Sequence, residues 1–322
     1  MNTGFEDLTP NVFLSVLEDA LSRKLTGLAR PMPSYINRVY EISDEEGNGF
    51  VAKFYRPDRW SDEALMDEHD FLFDCADVDI PVICPQVLSG GNTLNFFENI
   101  PFCVFPKKGG RQFDIENEEG FIRAGSLLAR IHNAGGKKQA GSRLFLTPDQ
   151  TTEQYTDLLL ENHLTPLWHD KFRDICHRII DTIAPFFDGL DNIRIHGDFH
   201  TGNILQRPEE GLFVIDFDDM MNGPAVQDFW LLLPDHFPVS RHYLDLLLKG
   251  YSRFRDFDPA SFRIIEGLRA MRMIYFLAWC AMQREDARFV EKHPDWGSDT
   301  FWSKEVRDLN VQYENVLECL KA

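Results

Sequence analysis

Nothing in these 322 residues supplies a metal-cysteine or disulfide framework. The six cysteines include no C-x-x-C pair, which argues against a zinc site or a disulfide scaffold and fits a reducing cytosol. Long apolar runs are also missing. The most apolar stretch, Met273 to Met282, is too short to span a bilayer, and the N-terminus lacks the basic-then-apolar pattern of an export signal. Basic charge is scarce, with 33 Lys and Arg against 52 Asp and Glu, a net charge of −19. That balance argues against general binding to nucleic acid or anionic membranes. It also obliges any nucleotide site to gather positive charge locally. No G-x-G-x-x-G loop stands ahead of Lys53, and there are no repeats or long low-complexity tracts.

What is present is the material of a folded protein. Hydrophobic residues make up 43% of the chain, and its length exceeds a typical single core, so two lobes are expected. The most informative stretch runs from Ile195 to Asp219. Ile204-Leu205 and Leu212 to Ile215 read as short strands, with the turn Arg207-Pro208-Glu209-Glu210-Gly211 between them. Asn203 precedes the first strand and Asp216 follows the second, so a hairpin brings them to the same end. An amide oxygen and a carboxylate so placed suit Mg²⁺, with phosphate oxygens completing its shell.

The run His196-Gly197-Asp198-Phe199-His200-Thr201-Gly202-Asn203 resembles the H-x-D-x-x-x-x-N catalytic loop of the protein-kinase-like superfamily. Gly197, where most protein kinases carry arginine, together with His200, resembles the aminoglycoside phosphotransferase branch. Asp216 then matches the metal-binding Asp of D-F-G, but Phe217 is followed by Asp218, so the glycine is missing. Asp218 and Asp219 are close enough to take over as metal ligands.

Earlier in the chain, Val12, Phe13, Val16, Leu17, Ala20 and Leu21 have helical spacing within Thr9 to Leu25, with Pro10 near the start. Asn37 to Ile42 and Gly49 to Tyr55 read as strands of a hairpin. Lys53 is flanked by apolar residues in the second strand, so it must reach outward or meet an anion. Ser61 is set to cap the next helix, with Asp62 and Glu63 in its first turn. Leu65, Glu68 and Leu72 share an apolar face there, and a carboxylate on such a face wants a cation. Lys53 with Glu68 resembles the kinase Lys–Glu pair, with Asp67 as the other candidate. Ser34 stands where a glycine-rich loop would be, either an ordinary turn serine or a phosphate cap. Phe102 to Phe105 reads as the last strand of a small lobe, and the adenine ring would pair with backbone near Cys103 to Phe105.

From residue 118 onward the pattern is helical. A stripe from Phe121 to Ile131 ends at His132, and residues 133 to 142 read as a mobile loop. Further helices are expected over Thr152 to Leu160, Leu167 to Phe187, Arg241 to Phe254, Pro259 to Arg284 and Thr300 to Leu320. Gly223-Pro224 is set to open another helix. Asp228, among apolar neighbours there, is read either as accepting hydrogen bonds from the catalytic-loop backbone, the role the kinase-like resemblance implies, or as a partly exposed helix carboxylate. Arg263, Glu266, Arg269 and Arg272 read as a solvated charged face or a substrate dock.

The expected fold is α+β and protein-kinase-like. Residues 1–105 form a small antiparallel-sheet lobe, and 106–322 a mainly helical one. The segments N-R-V-Y at Asn37, V-A-K-F-Y-R-P-D-R-W ending at Trp60, N-G-P-A-V-Q-D-F-W ending at Trp230 and L-R-A-M-R-M-I-Y-F-L-A-W ending at Trp279 resemble a family of bacterial serine/threonine stress-response kinases. This resemblance implies a cytoplasmic monomer that uses ATP and Mg²⁺, phosphorylates itself and acts on protein Ser or Thr. It implies catalytic roles for Asp198 and Asp216, metal binding at Asn203 and Asp216 and an ATP contact at Ser34, beside the ATP contacts already read at Lys53, Glu68, Cys103 and Phe105. The motifs serve kinases of small-molecule hydroxyls equally, and a catalytically dead binding module is the reading from another class.

Overall fold

Pro10 presets the first helical turn after the extended Thr9, and helix α1 (Pro10–Leu21) begins there. It stops at Ser22, whose φ of 52° lies in the left-handed region. Strands β1 (Leu25–Met32), β2 (Arg38–Asp44) and β3 (Gly49–Phe54) follow. Helix α2 (Asp62–Ala76) is capped by Ser61, whose hydroxyl accepts the Ala64 N–H at 3.2 Å. Strands β4 (Asn95–Phe97), β5 (Ile100–Pro106) and β6 (Arg111–Gln112) precede helices α3 (Glu118–Gly135), α4 (Glu153–Asn162) and α5 (His169–Ile183). Next come β7 (Asn192–Ile195), β8 (Ile204–Arg207), β9 (Gly211–Val214) and β10 (Met221–Pro224). Helices α6 (Gln227–Trp230), α7 (Arg241–Tyr251), α8 (Ile265–Ala281), α9 (Ala287–Lys292) and α10 (Asp299–Cys319) complete the chain. The computed structural model describes residues 5, 8–34, 36–237 and 239–321. The protein is thus a mixed fold with an antiparallel sheet near its N-terminus and a helical body. No helix among the described residues is long and apolar enough to cross a membrane.

Two compact units divide these elements. The first comprises the described residues of Met1–Phe113 with Ala140–Arg143 and Gly202–Asp218. Its five-stranded antiparallel sheet has the order β1-β2-β3-β5-β4. Phe13 and Leu17 of α1 are fully buried against it, with the Phe13 ring 5.2 Å from Phe54 and Phe54 5.3 Å from Phe102. A smaller sheet, β6-β8-β9, carries the hairpin, with Ile204 opposite Val214.

The second unit holds helices α3 to α10 and the antiparallel pair β7–β10. Helices α3 and α7 meet at two glycines. A methyl on Gly125 would lie 2.0 Å from the Leu247 carbonyl oxygen, and one on Gly250 would lie 1.9 Å from that of Ile122. Only glycine permits backbones this close.

Several expectations are corrected. Gly223 and Pro224 do not open a helix: they end β10, where Pro224 faces Asn192, a strand end at which a missing N–H is tolerated. Residues 133 to 142 are not simply a mobile loop. Helix α3 runs on to Gly135, and the far end is fastened where the Ser142 N–H donates to Asp67 at 2.7 Å. Glu266 is no part of a solvated face. It is fully buried, accepting the Phe237 N–H at 2.8 Å and the Gln312 amide at 2.7 Å.

Replacing Gly250 by Ala forces the α3–α7 backbones apart. Overpacking of this kind costs about 1–3 kcal/mol, so urea denaturation of Gly250→Ala is expected to show a lower midpoint with an unchanged slope.

Candidate active site

In the first unit, the hairpin β8–β9 places Asn203 and Asp216 at one end. The Ile215 N–H donates to the Asn203 carbonyl at 3.0 Å, one step past the Ile204–Val214 pair. Asn203 is buried and Asp216 exposed. The Asp216 backbone has a φ of 61°, a left-handed conformation that Asp tolerates better than most residues and that is typical of functional turns. Among the described residues no group of three or more His, Cys, Asp or Glu could hold a metal. An amide oxygen and one carboxylate are hard donors that fit Mg²⁺ where phosphate oxygens fill the remaining positions.

Beside this hairpin, cations and carboxylates are packed together. Lys53 Nζ lies 3.2 Å from Glu68 Oε1, 3.1 Å from Asp218 Oδ1 and 3.5 Å from Asp216 Oδ1, while only 6% exposed. Burial alone would pull the ammonium pKa down. The carboxylates of Asp218, Glu68 and Asp216 outweigh it and hold the pKa above the usual lysine value. Glu68, rather than Asp67, is therefore the partner of Lys53.

Sequence reading assigned no role to two members of this cluster, Arg59 and Arg143, and named Asp218 only as a possible metal ligand. Asp218 is bound by Arg59 as well as Lys53, and its carboxyl is held below the usual range because these cations and Arg143 overcome its burial. Arg143 reaches the Ala64 carbonyl at 2.7 Å, the Asp218 carbonyl at 2.6 Å and Glu68 Oε2 at 3.3 Å. Arg143 follows a Gly/Lys-rich stretch with no periodicity, so no local signal marks it.

Ser34 is exposed in the β1–β2 connection, and its neighbour Tyr35 lies outside the described residues. Cys103 and Phe105 lie on β5 opposite Lys53 and Val51. The bonds Tyr55 N to Pro101 O and Lys107 N to Gly49 O fix the alternation of that ladder. It follows that the backbone groups of Cys103 and Phe105 are spent on β3, and those of Val104 and Pro106 point away from it. The Val104 carbonyl accepts the Gln86 N–H at 2.7 Å. The Cys103 thiol, pushed up to about 12 by burial, belongs to a buried polar chain with Tyr55, His69 and Thr93.

The second unit holds Asp198. Strand β7 ends at Ile195, and the loop after it is gripped by Asp228, which is fully buried. Asp228 accepts the His196 N–H and the Gly197 N–H, each at 2.8 Å, and His132 Nε2 lies 3.1 Å from it. His132 is in turn 3.0 Å from the Tyr251 hydroxyl. Gly197 has a φ of +80°, and a Cβ there would fall 2.1 Å from the Asp219 carbonyl oxygen. That contact is the physical reason for glycine rather than arginine. The Asp198 carboxylate meets Arg272 Nη2 at 2.7 Å and His200 Nε2 at 3.4 Å. Burial would raise its pKa, but His200 and Arg272 prevail and hold it well below the usual carboxylate range. Arg272 was visible in the sequence only as one of four charges on an expected solvated face or dock. Asp219 is engaged by the Tyr275 hydroxyl at 3.1 Å.

A family model, the phosphotransferase enzyme family, matches residues 29–265. This chain belongs to that family. The phosphotransferase is 34% identical over 316 residues to stress response kinase A of Escherichia coli (strain K12), covering 98% of this chain and 95% of that protein. It is 32% identical to the serine/threonine protein kinase RdoA of Salmonella typhimurium (strain LT2), covering 94% and 92%. Among solved structures it is similar to amicoumacin kinase hAmiN in complex with AMP-PNP, Ca²⁺ and Ami, with a TM-score of 0.74 at 18% identity over 93% and 92% of the two chains. A microcompartment-associated aminopropanol kinase gives a TM-score of 0.70 at 18% identity over 94% and 98%.

Asp218→Asn removes a buried charge facing Lys53, Arg59 and Arg143. Breaking such a pair costs about 3–5 kcal/mol, so the variant is expected to melt at a clearly lower temperature. Because the Asp218 pKa is depressed on folding, its contribution is complete above the unfolded value of about 4 and lost as pH falls below it. Chemical denaturation of the wild type should therefore show stability falling below about pH 4, and the variant should show less of that fall.

Proposed function

We propose that this phosphotransferase is an ATP- and Mg²⁺-dependent serine/threonine protein kinase of the cytoplasm that phosphorylates itself and serves a stress response. The observation that carries this reading is the buried Lys53–Glu68 pair, with Asp216 3.5 Å from the lysine at the hairpin end that also bears Asn203. A dead binding module would have no need to keep this set together with an ionised Asp198. The full-length likeness to proteins named stress response kinase A and serine/threonine protein kinase RdoA favours a protein acceptor. The second reading, a kinase of small-molecule hydroxyls, is favoured by structural relatives such as the aminopropanol kinase, whose 18% identity supports the fold alone.

In this mechanism Lys53, oriented by Glu68, binds phosphate oxygens of ATP. Backbone at Val104 and Pro106 meets the adenine, and Ser34 caps a phosphate. Asn203 and Asp216 would hold Mg²⁺, which when bound would supply neutralisation of phosphate charge. Asp198 orients the acceptor hydroxyl and takes its proton as the new P–O bond forms and the bond from the γ-phosphorus to the β,γ-bridging oxygen breaks. Phosphoryl transfer relies on positioning and charge neutralisation, which is what these residues offer.

The test is incubation with labelled ATP, dephosphorylated casein and Mg²⁺, followed by mass spectrometry of both proteins. Phosphate on Ser or Thr of this chain and of casein, abolished by EDTA, is the expected result. Rapid phosphorylation of a metabolite from cell extract with no phosphosite on either protein would establish the second reading instead.

Variants separate the roles. Lys53→Met should lose more than about tenfold in turnover, the least expected from one charge-assisted contact. Asp198→Asn should keep Mg²⁺-dependent ATP binding and lose roughly 10²–10⁴ in turnover. Asp216→Asn should weaken ATP binding and blunt its Mg²⁺ dependence. If titrations give the opposite pattern for the two aspartates, their roles are exchanged.

A further inference from the structure

The carboxylate of Asp198 is tied to a helix far along the chain. Arg272, in the first half of α8, places Nη2 2.7 Å from Asp198 Oδ1, and its side chain is only 29% exposed. The guanidinium is itself braced. It lies over the Tyr275 ring, 5.1 Å from the centroid, and Tyr275 sits edge-on to Tyr155 of α4 at 5.2 Å. The Tyr275 hydroxyl donates to Asp219 Oδ1 at 3.1 Å. The Asp219 carbonyl is the group against which Gly197 packs. The contacts therefore close a ring within the second unit: Gly197–Asp198, Arg272, Tyr275, Asp219 and back to Gly197.

A carboxylate that must meet a hydroxyl proton acts well only if held within about 0.5 Å and 10–20° of its working geometry. Asp198 has two side-chain torsions, and Asp228 fixes only the backbone before it. The guanidinium is planar and permanently charged, and so can fix orientation and charge together. We propose that Arg272 is a positioning residue for the catalytic base, holding the Asp198 carboxylate in a single orientation toward the acceptor hydroxyl. The inference rests on the reading of Asp198 as that base. Among the groups bearing on Asp198 are Arg272 from α8 and His200 and His196 from its own loop. With Arg272 present the carboxyl stays ionised well below neutrality.

The experiment uses the full chain with Mg-ATP and dephosphorylated casein as the acceptor probe. Arg272→Met, Arg272→Gln and Arg272→Lys are compared with Asp198→Asn and with the double variant Asp198→Asn/Arg272→Met. A misplaced reacting group costs on the order of 10²-fold, so Arg272→Met and Arg272→Gln should lose about that much in kcat, with KM for ATP within about twofold. Lys keeps the charge but not the planar guanidinium over Tyr275, and should recover only part of the loss. Millimolar guanidinium should partly restore Arg272→Met. The acid limb of kcat should move to higher pH in Arg272→Met, since removing the cation raises the Asp198 pKa. The double variant should be no slower than Asp198→Asn alone, because the arginine acts through the aspartate. Should Arg272→Met fail to fold, Arg272→Gln carries the same comparison. Full kcat in both, or additive losses in the double variant, overturns the positioning role while leaving Asp198 as the base. Undiminished turnover in Asp198→Asn overturns the reading of the base itself, and the inference with it.

Discussion

A lysine ammonium stripped of water is tolerable only among carboxylates, and Lys53 has three within 3.5 Å. Much of the first unit is arranged to supply them. Glu68 comes from a helix begun by the Ser61 cap, and Asp216 and Asp218 come from the end of the hairpin. Each carboxylate so recruited needs cations of its own, and Arg59 and Arg143 answer Asp218 and Glu68. Three cations, Lys53, Arg59 and Arg143, thus face three carboxylates, Glu68, Asp216 and Asp218, and the cluster is balanced in charge within a chain of net charge −19. Asp218 helps keep the lysine charged.

The loop after β7 depends on a second buried carboxylate of different character. Asp228 spends itself on two backbone N–H groups and an imidazole rather than on a cation. Leaving those donors unsatisfied in a dry interior would cost more than the hydrogen bonds are worth in water. The loop conformation, including the left-handed turn at Gly197, is therefore specified by hydrogen bonding more than by hydrophobic packing.

Residues whose partners lie close in sequence, or whose spacing obeys one period, were legible from the chain. Asn203 and Asp216 at one hairpin end followed from the turn between two apolar runs. Glu68 followed from its place on the apolar face of α2. The hairpin-like pattern of β2 and β3 gave their pairing, though not β1, whose eight residues are mostly exposed and show no alternation. Pro224 misled because the Gly-Pro signal for a helix start is equally compatible with the last residue of a strand. Arg272 and Glu266 were hidden among charges at helical spacing, where one side chain turns to Asp198 and the other into the core. Their partners, 74 and 29 or 46 residues away, leave no trace in local pattern. Which backbone groups of β5 pair with β3, those of Cys103 and Phe105 or those of Val104 and Pro106, is a matter of ladder parity, which register alone decides.

The close approach of Gly197 to the Asp219 carbonyl bears on how the enzyme is governed. In many protein kinases, arginines receive the phosphate of a modified activation segment and so order that segment. Here any side chain at position 197 collides with main chain 2.1 Å away, before its length or charge matters. The loop has surrendered the seat from which such a phosphate could be sensed. A phosphate latch anchored at residue 197 is incompatible with this backbone.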